Sequence, residues 1–149
     1  MWVLDRSTEM QHQLATFKLD NRLYGVDVSR VQEALRLHTK TPVPHSPRAV
    51  AGLVNLRGQV VLLVDLRARL GREPYTDEDE PMMVVVKVDN GEPVSLLVDQ
   101  VGDVLELDSD QFGPPPPTLE PALRDVVTGV YSLEDGLLLS LDVELATTV

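Results

Sequence analysis

Apolar and polar residues alternate along much of this chain, and the alternating stretches come in two sets. From Leu14 the pattern places Ala15, Phe17 and Leu19 on one face, breaks at Asp20-Asn21-Arg22, and resumes with Tyr24, Val26 and Val28. A period of two interrupted by short polar residues predicts a β-hairpin. Residues 29–37 fit two templates: Val31, Ala34 and Leu35 would make one helical turn, whereas Val31, Glu33 and Leu35 would make an edge strand. Pro42, Pro44 and Pro47 exclude a regular ladder just beyond. Gly52 to Leu56 and Gln59 to Val64, joined by Arg57-Gly58, predict a second hairpin whose glycine supplies a positive φ. Asp65 has the chemistry to cap a short helix, Leu66 to Leu70, with Gly71 closing it.

The second set repeats the first. With a shift of 70, Val28 falls on Val98, Val31 on Val101, Leu35 on Leu105 and Leu37 on Leu107. With a shift of 77, Gly52 falls on Gly129, Leu56 on Leu133 and Asp65 on Asp142. Residues 17–21 echo residues 86–90, and the shift grows because the second copy has a longer loop containing Pro114-Pro115-Pro116-Pro117. Residues 14–71 and 82–149 therefore read as two copies of one β-rich unit, with the acidic, proline-flanked segment 72–81 as linker. Residues 1–13 show no periodicity and are expected to be a flexible arm. Many short strands and little helix predict a mainly β fold, a barrel or sandwich in each half. A copy of about 70 residues buries only a modest core alone, so the halves are expected to pack on each other.

Charge sharpens this picture. The net charge is −11, which argues against a phosphate backbone as partner. Up to residue 72 the balance is +5, and from residue 73 onward it is −16, so complementary halves of neighbouring molecules could associate. There is no cysteine, hence no disulfide or thiolate metal site. Apolar runs such as Val60 to Val64 are too short to cross a bilayer, and the N-terminal residues lack the pattern of a secretion signal. A soluble, cytoplasmic protein is expected.

Reactive chemistry finds little footing. His12, His38 and His45 are assigned to loops or the arm with no carboxylate at ligand spacing, and His45-Ser46 lies in no nucleophile elbow. Glu33, Asp99 and Asp103 resemble a carboxylate set, yet Glu33 falls on Asp103 in the repeat, which favours structural roles. No glycine loop for phosphate occurs, no metal or cofactor is expected, and the proline run reads as a stiff spacer. Six aromatic residues are too few for a base-stacking platform. The residues that stand out suit binding instead. Arg57 crowns a hairpin tip where the second copy has Glu134, and Val31, Val101 and Val104 could line an apolar groove between the repeats. A hydrolase or ligand-binding barrel pair would need a buried nucleophile or cavity that no constellation suggests.

Asn55-Leu56-Arg57-Gly58, an apolar strand and Val64-Asp65-Leu66-Arg67 together resemble the most recognisable stretch of the CheW family of chemotaxis coupling proteins. Tyr24-Gly25-Val26-Asp27-Val28, Val31-Gln32-Glu33, residues 98–105, Thr128-Gly129-Val130 and Leu137 to Asp142 extend the likeness from about residue 14 to the C-terminus. The resemblance implies two tandem SH3-like five-stranded β-barrels packed together, with short helices and no catalytic activity. It implies an adapter bridging the cytoplasmic tips of transmembrane chemoreceptors to the regulatory domain of a CheA-type histidine kinase, recruited to the membrane through receptors and arranged in rings with other CheW-like modules. A receptor-binding groove would involve Val31, Glu33, Gly52, Arg57, Val101 and Val104, with Gly52 permitting close approach. The same likeness covers couplers for gliding or twitching motility, and a decoy form that binds the kinase but not receptors.

Overall fold

The computed structural model describes residues 11–37 and 39–149. Each copy contributes a hairpin, a single strand, a second hairpin and a closing helix in that order, and the second copy inserts a two-residue strand and a short helix before its second hairpin. The first has the hairpin β1 (Gln11–Leu19) and β2 (Arg22–Asp27), the strand β3 (Val31–Arg36), the hairpin β4 (Val50–Leu56) and β5 (Gln59–Asp65), and the helix α1 (Leu66–Arg69). The second has β6 (Met82–Lys87) and β7 (Pro93–Val98), then β8 (Gln100–Asp108) and the two-residue β9 (Phe112–Gly113). It continues with α2 (Pro121–Arg124), the hairpin β10 (Val127–Leu133) and β11 (Gly136–Leu141), and α3 (Val143–Thr147). Of the two templates for residues 29–37 the strand prevails, following a 3-10 turn at Val28–Arg30.

Two sheets form, ordered β3-β6-β7-β5-β4 and β8-β1-β2-β11-β10-β9. The first hairpin of each copy thus sits in the sheet of the other copy. Segment 72–81 separates the copies along the chain, but it does not separate the sheets. That differs from the expectation of one barrel per half, and packing supplies the reason. The central core takes Phe17, Tyr24 and Val26 from one sheet, Val84, Val86, Leu96 and Val98 from the other, and Leu66, Leu123 and Ala146 from the helices. Exchange makes this one continuous core drawn from both copies, larger than either could bury alone, and each fully buried leucine contributes roughly 1.5–3 kcal/mol. Smaller clusters fill the opposite face of each sheet: Val54, Val61, Leu63, Met83 and Leu97 in one, Leu14, Leu107, Tyr131 and Leu138 in the other.

Each sheet curls until its ends meet. Beyond β3, Thr41 and Leu53 of β4 exchange two 2.8 Å backbone hydrogen bonds; beyond β8, β9 pairs with β10. The repeated glycines are explained here. A Cβ on Gly52, which has φ +143°, would stand 2.5 Å from the Thr41 carbonyl oxygen, and one on Gly129 would stand 2.7 Å from that of Gly113. Only glycine lets the closing segment cross that near. Hairpin tips follow the turn chemistry, with left-handed φ at Asp20 and Asn21 and again at Arg57 and Gly58. The helices are capped as expected: the Asp65 and Asp142 carboxylates accept the N–H groups of Ala68 and Leu145.

Some local expectations change. Residues 11–13 belong to β1, with Gln13 opposite Glu106, because β8 offers them a ladder; the rest of the expected arm, residues 1–10, lies outside the described residues. His12 is consequently a strand residue opposite Leu107, His45 lies in a loop with φ +58°, and His38 is outside the described residues. The acidic segment is docked rather than loose. Tyr75 donates its N–H to Asp65 and its hydroxyl to Asp99, and its ring lies 4.4 Å from the Arg67 guanidinium. Burial, and then the hydrogen bond to Asp99, push the Tyr75 phenol far above its ordinary range.

Candidate partner-binding surface

The sheet order β3-β6-β7-β5-β4 leaves β3 and β4 as edges, and curling brings the β4–β5 tip back to β3. There Arg57 donates both guanidinium Nη groups to the two Glu33 oxygens, with Nη2 at 2.6 Å from Oε1. The bidentate hydrogen bonding holds the Glu33 carboxyl below its ordinary range and the Arg57 guanidinium above its own. Three-quarters of the Arg57 side chain remains exposed, so the pair fixes a charged platform at the surface instead of burying it. Asn55 steadies the tip by accepting the Gly58 N–H at 2.9 Å.

β8 is the free edge of the other sheet. Its burial pattern is almost wholly exposed, with Val101 39% and Val104 53% accessible. Thr16 on β1 donates its hydroxyl to the Asp103 carbonyl at 2.6 Å, and a Cβ on Gly102 would stand 2.6 Å from that hydroxyl oxygen. Gly102 is thereby tied to the bulged pairing between β1 and β8. Where β8 starts, Val101 and Gln100 share a cleft of about 800 Å³ with Arg36 and Leu37 at the end of β3 and with the docked segment at Tyr75 to Pro81.

The six residues anticipated for the groove separate into two pairs and two single residues. Glu33 and Arg57 are joined by an ion pair, and Val101 and Val104 share the open edge of β8. Val31 is half-buried against the central core. Gly52 is buried, and the close approach it permits is that of the chain's own Thr41. Sequence reasoning assigned no role to Val60 and Leu137. They occupy equivalent positions at the starts of β5 and β11 and are 64% and 46% exposed. Alternation offered the only signal, since Val61 and Leu138, their immediate neighbours, point inward. Among the described residues no set of three ligating side chains converges as a metal site would require, and no helix is long and apolar enough to cross a membrane.

These features define a two-sheet β-module without a metal cluster among the described residues, and comparison with known proteins places it. A family profile described as the CheW-like domain matches residues 13–148. The chemotaxis protein CheW of Klebsiella aerogenes is 30% identical over 128 residues, covering 86% of this chain and 76% of that protein. That of Rhizobium meliloti is 31% identical over 126 residues, covering 85% and 81%. The crystal structure of the scaffolding protein TtCheW from Thermoanaerobacter tengcongensis superposes with a TM-score of 0.81 at 27% identity, covering 94% of each chain. The chain belongs to the CheW-like domain family, the chemotaxis scaffold and adapter class, and shares its two-subdomain SH3-like fold.

Proposed function

We propose that this protein is a non-catalytic adapter that couples the cytoplasmic helical tips of chemoreceptors to the regulatory domain of a CheA-type histidine kinase. The observation that carries the reading is the open edge of β8. Val101 and Val104 are exposed on an ordered strand, within a chain that matches the family over residues 13–148. An amphipathic helix laid on that edge would cover the valines with its apolar stripe. The Glu33–Arg57 platform, its guanidinium exposed and held by a mostly covered carboxylate, would orient polar groups of the same helix. The kinase would use a separate surface, leaving both partners engaged at once. The protein acts at the inner face of the membrane, held there by receptors.

Pull-downs with a receptor-tip fragment and a kinase regulatory domain as separate baits test this. Both baits are expected to capture the wild-type chain, and Val104→Asp is expected to lose the receptor bait while keeping the kinase. Capture by the kinase bait alone for the wild-type chain would overturn the coupling role.

A further inference from the structure

The two crossovers between sheets carry opposite charges. β7 runs parallel to β5, and beyond its end Asp99 meets Arg67 of α1, with Nη2 3.0 Å from Oδ1. β2 runs parallel to β11, and beyond its end Arg30 meets Glu144 of α3 at 2.8 Å. These places are equivalent in the repeat. Glu144 takes the position of Arg67 at the shift of 77, and Arg30 aligns with Gln100, one residue past Asp99. In one junction the helix brings the cation and the crossover the anion; in the other the roles are reversed.

A repeated sequence makes a second arrangement available, in which each first hairpin enters the sheet of its own copy. The register would carry over, because Gly25 and Ser95 are equivalent and pair with Ser140 and Leu63, themselves equivalent. Part of what surrounds the junctions is interchangeable too, although Tyr75 meets Asp99 and Arg67 at the first junction alone. Both turns present an aspartate, Asp20 and Asp89, whose N–H groups donate to Asp99 at 2.9 Å and to Glu144 at 2.8 Å. Both helices are capped by an aspartate. The ion pairs are not interchangeable. With β2 beside β5, Arg30 would face Arg67; with β7 beside β11, Asp99 would face Glu144. All four side chains are only 21–39% exposed, so like charges there would be poorly screened.

We propose that the reversed ion pairs Arg67–Asp99 and Glu144–Arg30 select the exchanged topology, by making the unexchanged one meet two like-charge contacts. The pairs act on which strands neighbour each other, a choice that matching hydrophobic patterns leave open.

The full chain, which has no cysteine of its own, allows a direct test. Gln13→Cys with Glu106→Cys spans β1 and β8, at exposed opposed positions, and reports the exchanged arrangement. Gln13→Cys with Arg36→Cys reports the alternative, since Arg36 is the repeat equivalent of Glu106 and would stand beside β1 if β3 replaced β8. Each pair is unfolded, refolded and oxidised. The parent should cross-link 13–106 with little 13–36. Arg67→Glu with Glu144→Arg should shift the ratio toward 13–36 by at least tenfold, and adding Arg30→Asp with Asp99→Arg should restore it. An unchanged ratio in the two-residue variant would overturn the proposal. If that variant does not refold, the four-residue variant decides: recovery of the parent ratio supports the proposal, and failure to recover it overturns it.

Discussion

The two seams at which the sheets close are built from the same repeat and are finished differently. At the β3 seam a single backbone bridge at Thr41 is supplemented by the Glu33–Arg57 ion pair. At the β8 seam the equivalent residues are Asp103 and Glu134, both acidic, and β9 pairs with β10 while Gln111 donates to the Ser132 carbonyl at 3.0 Å. One seam is therefore latched by opposite charges at its rim. The other is closed by backbone, which leaves its edge strand and two valines open to solvent. The contrast teaches that duplication holds fixed what geometry demands, the crossing glycines and helix caps, and lets rim charge diverge once closure no longer depends on it.

Removing the glycines breaks both seams and should have the largest effects. Gly52→Ala forces a Cβ onto a backbone oxygen at a positive φ and is expected to cost about 3 kcal/mol in urea unfolding. Gly129→Ala is expected to cost less, about 2 kcal/mol, because part of what it meets is the exposed Phe112 ring, which can swing away. Equal losses would deny the difference between the seams. Val104→Asp leaves both seams closed. It should weaken receptor-tip binding at least tenfold, by calorimetric titration, while unfolding stability stays within about 0.5 kcal/mol.

Arg57→Glu turns the latched seam into a copy of the acidic one. It should weaken receptor binding several-fold, and the slight loss of stability should shrink as salt is raised. Adding Glu33→Arg should recover stability; loss of the fold instead would make Arg57 part of the framework. Acid probes the same contrast most gently. Burial alone would raise the Asp99 carboxyl, yet hydrogen bonds from Tyr75, the Asp20 N–H and Arg67 outweigh it and hold Asp99 below its ordinary 3.8. A carboxyl depressed on folding stabilises fully above its unfolded value, and that contribution disappears as pH falls through the depressed one. Stability should therefore decline below about pH 4, and Arg67→Gln should flatten the decline. A steeper decline in the variant would contradict the assignment.

Much of this was legible in the residues. Alternation located both hairpins of the first copy, the aspartate before each closing helix announced its cap, and Arg57-Gly58 marked a tight tip. The shifts of 70 and 77 predicted a doubled module. Periodicity could not say which copy each hairpin would join, because strands with matching patterns satisfy either neighbour equally well. It also could not distinguish outward valines on a free edge from core valines, since Val101 and Val104 lie three residues apart, a spacing that a period of two assigns to no single face. Gly52 was marked for the close approach of a partner, whereas what packs against it is Thr41, eleven residues upstream across a proline-rich loop that carries no periodic signal.

An adapter must hold both partners together, and sedimentation of a mixture of this chain, the receptor-tip fragment and the kinase regulatory domain measures that directly. A single boundary containing all three is the predicted result, and Val104→Asp should leave only the complex with the kinase. Mutual exclusion of the two partners, or a ternary complex indifferent to Val104→Asp, would contradict the account.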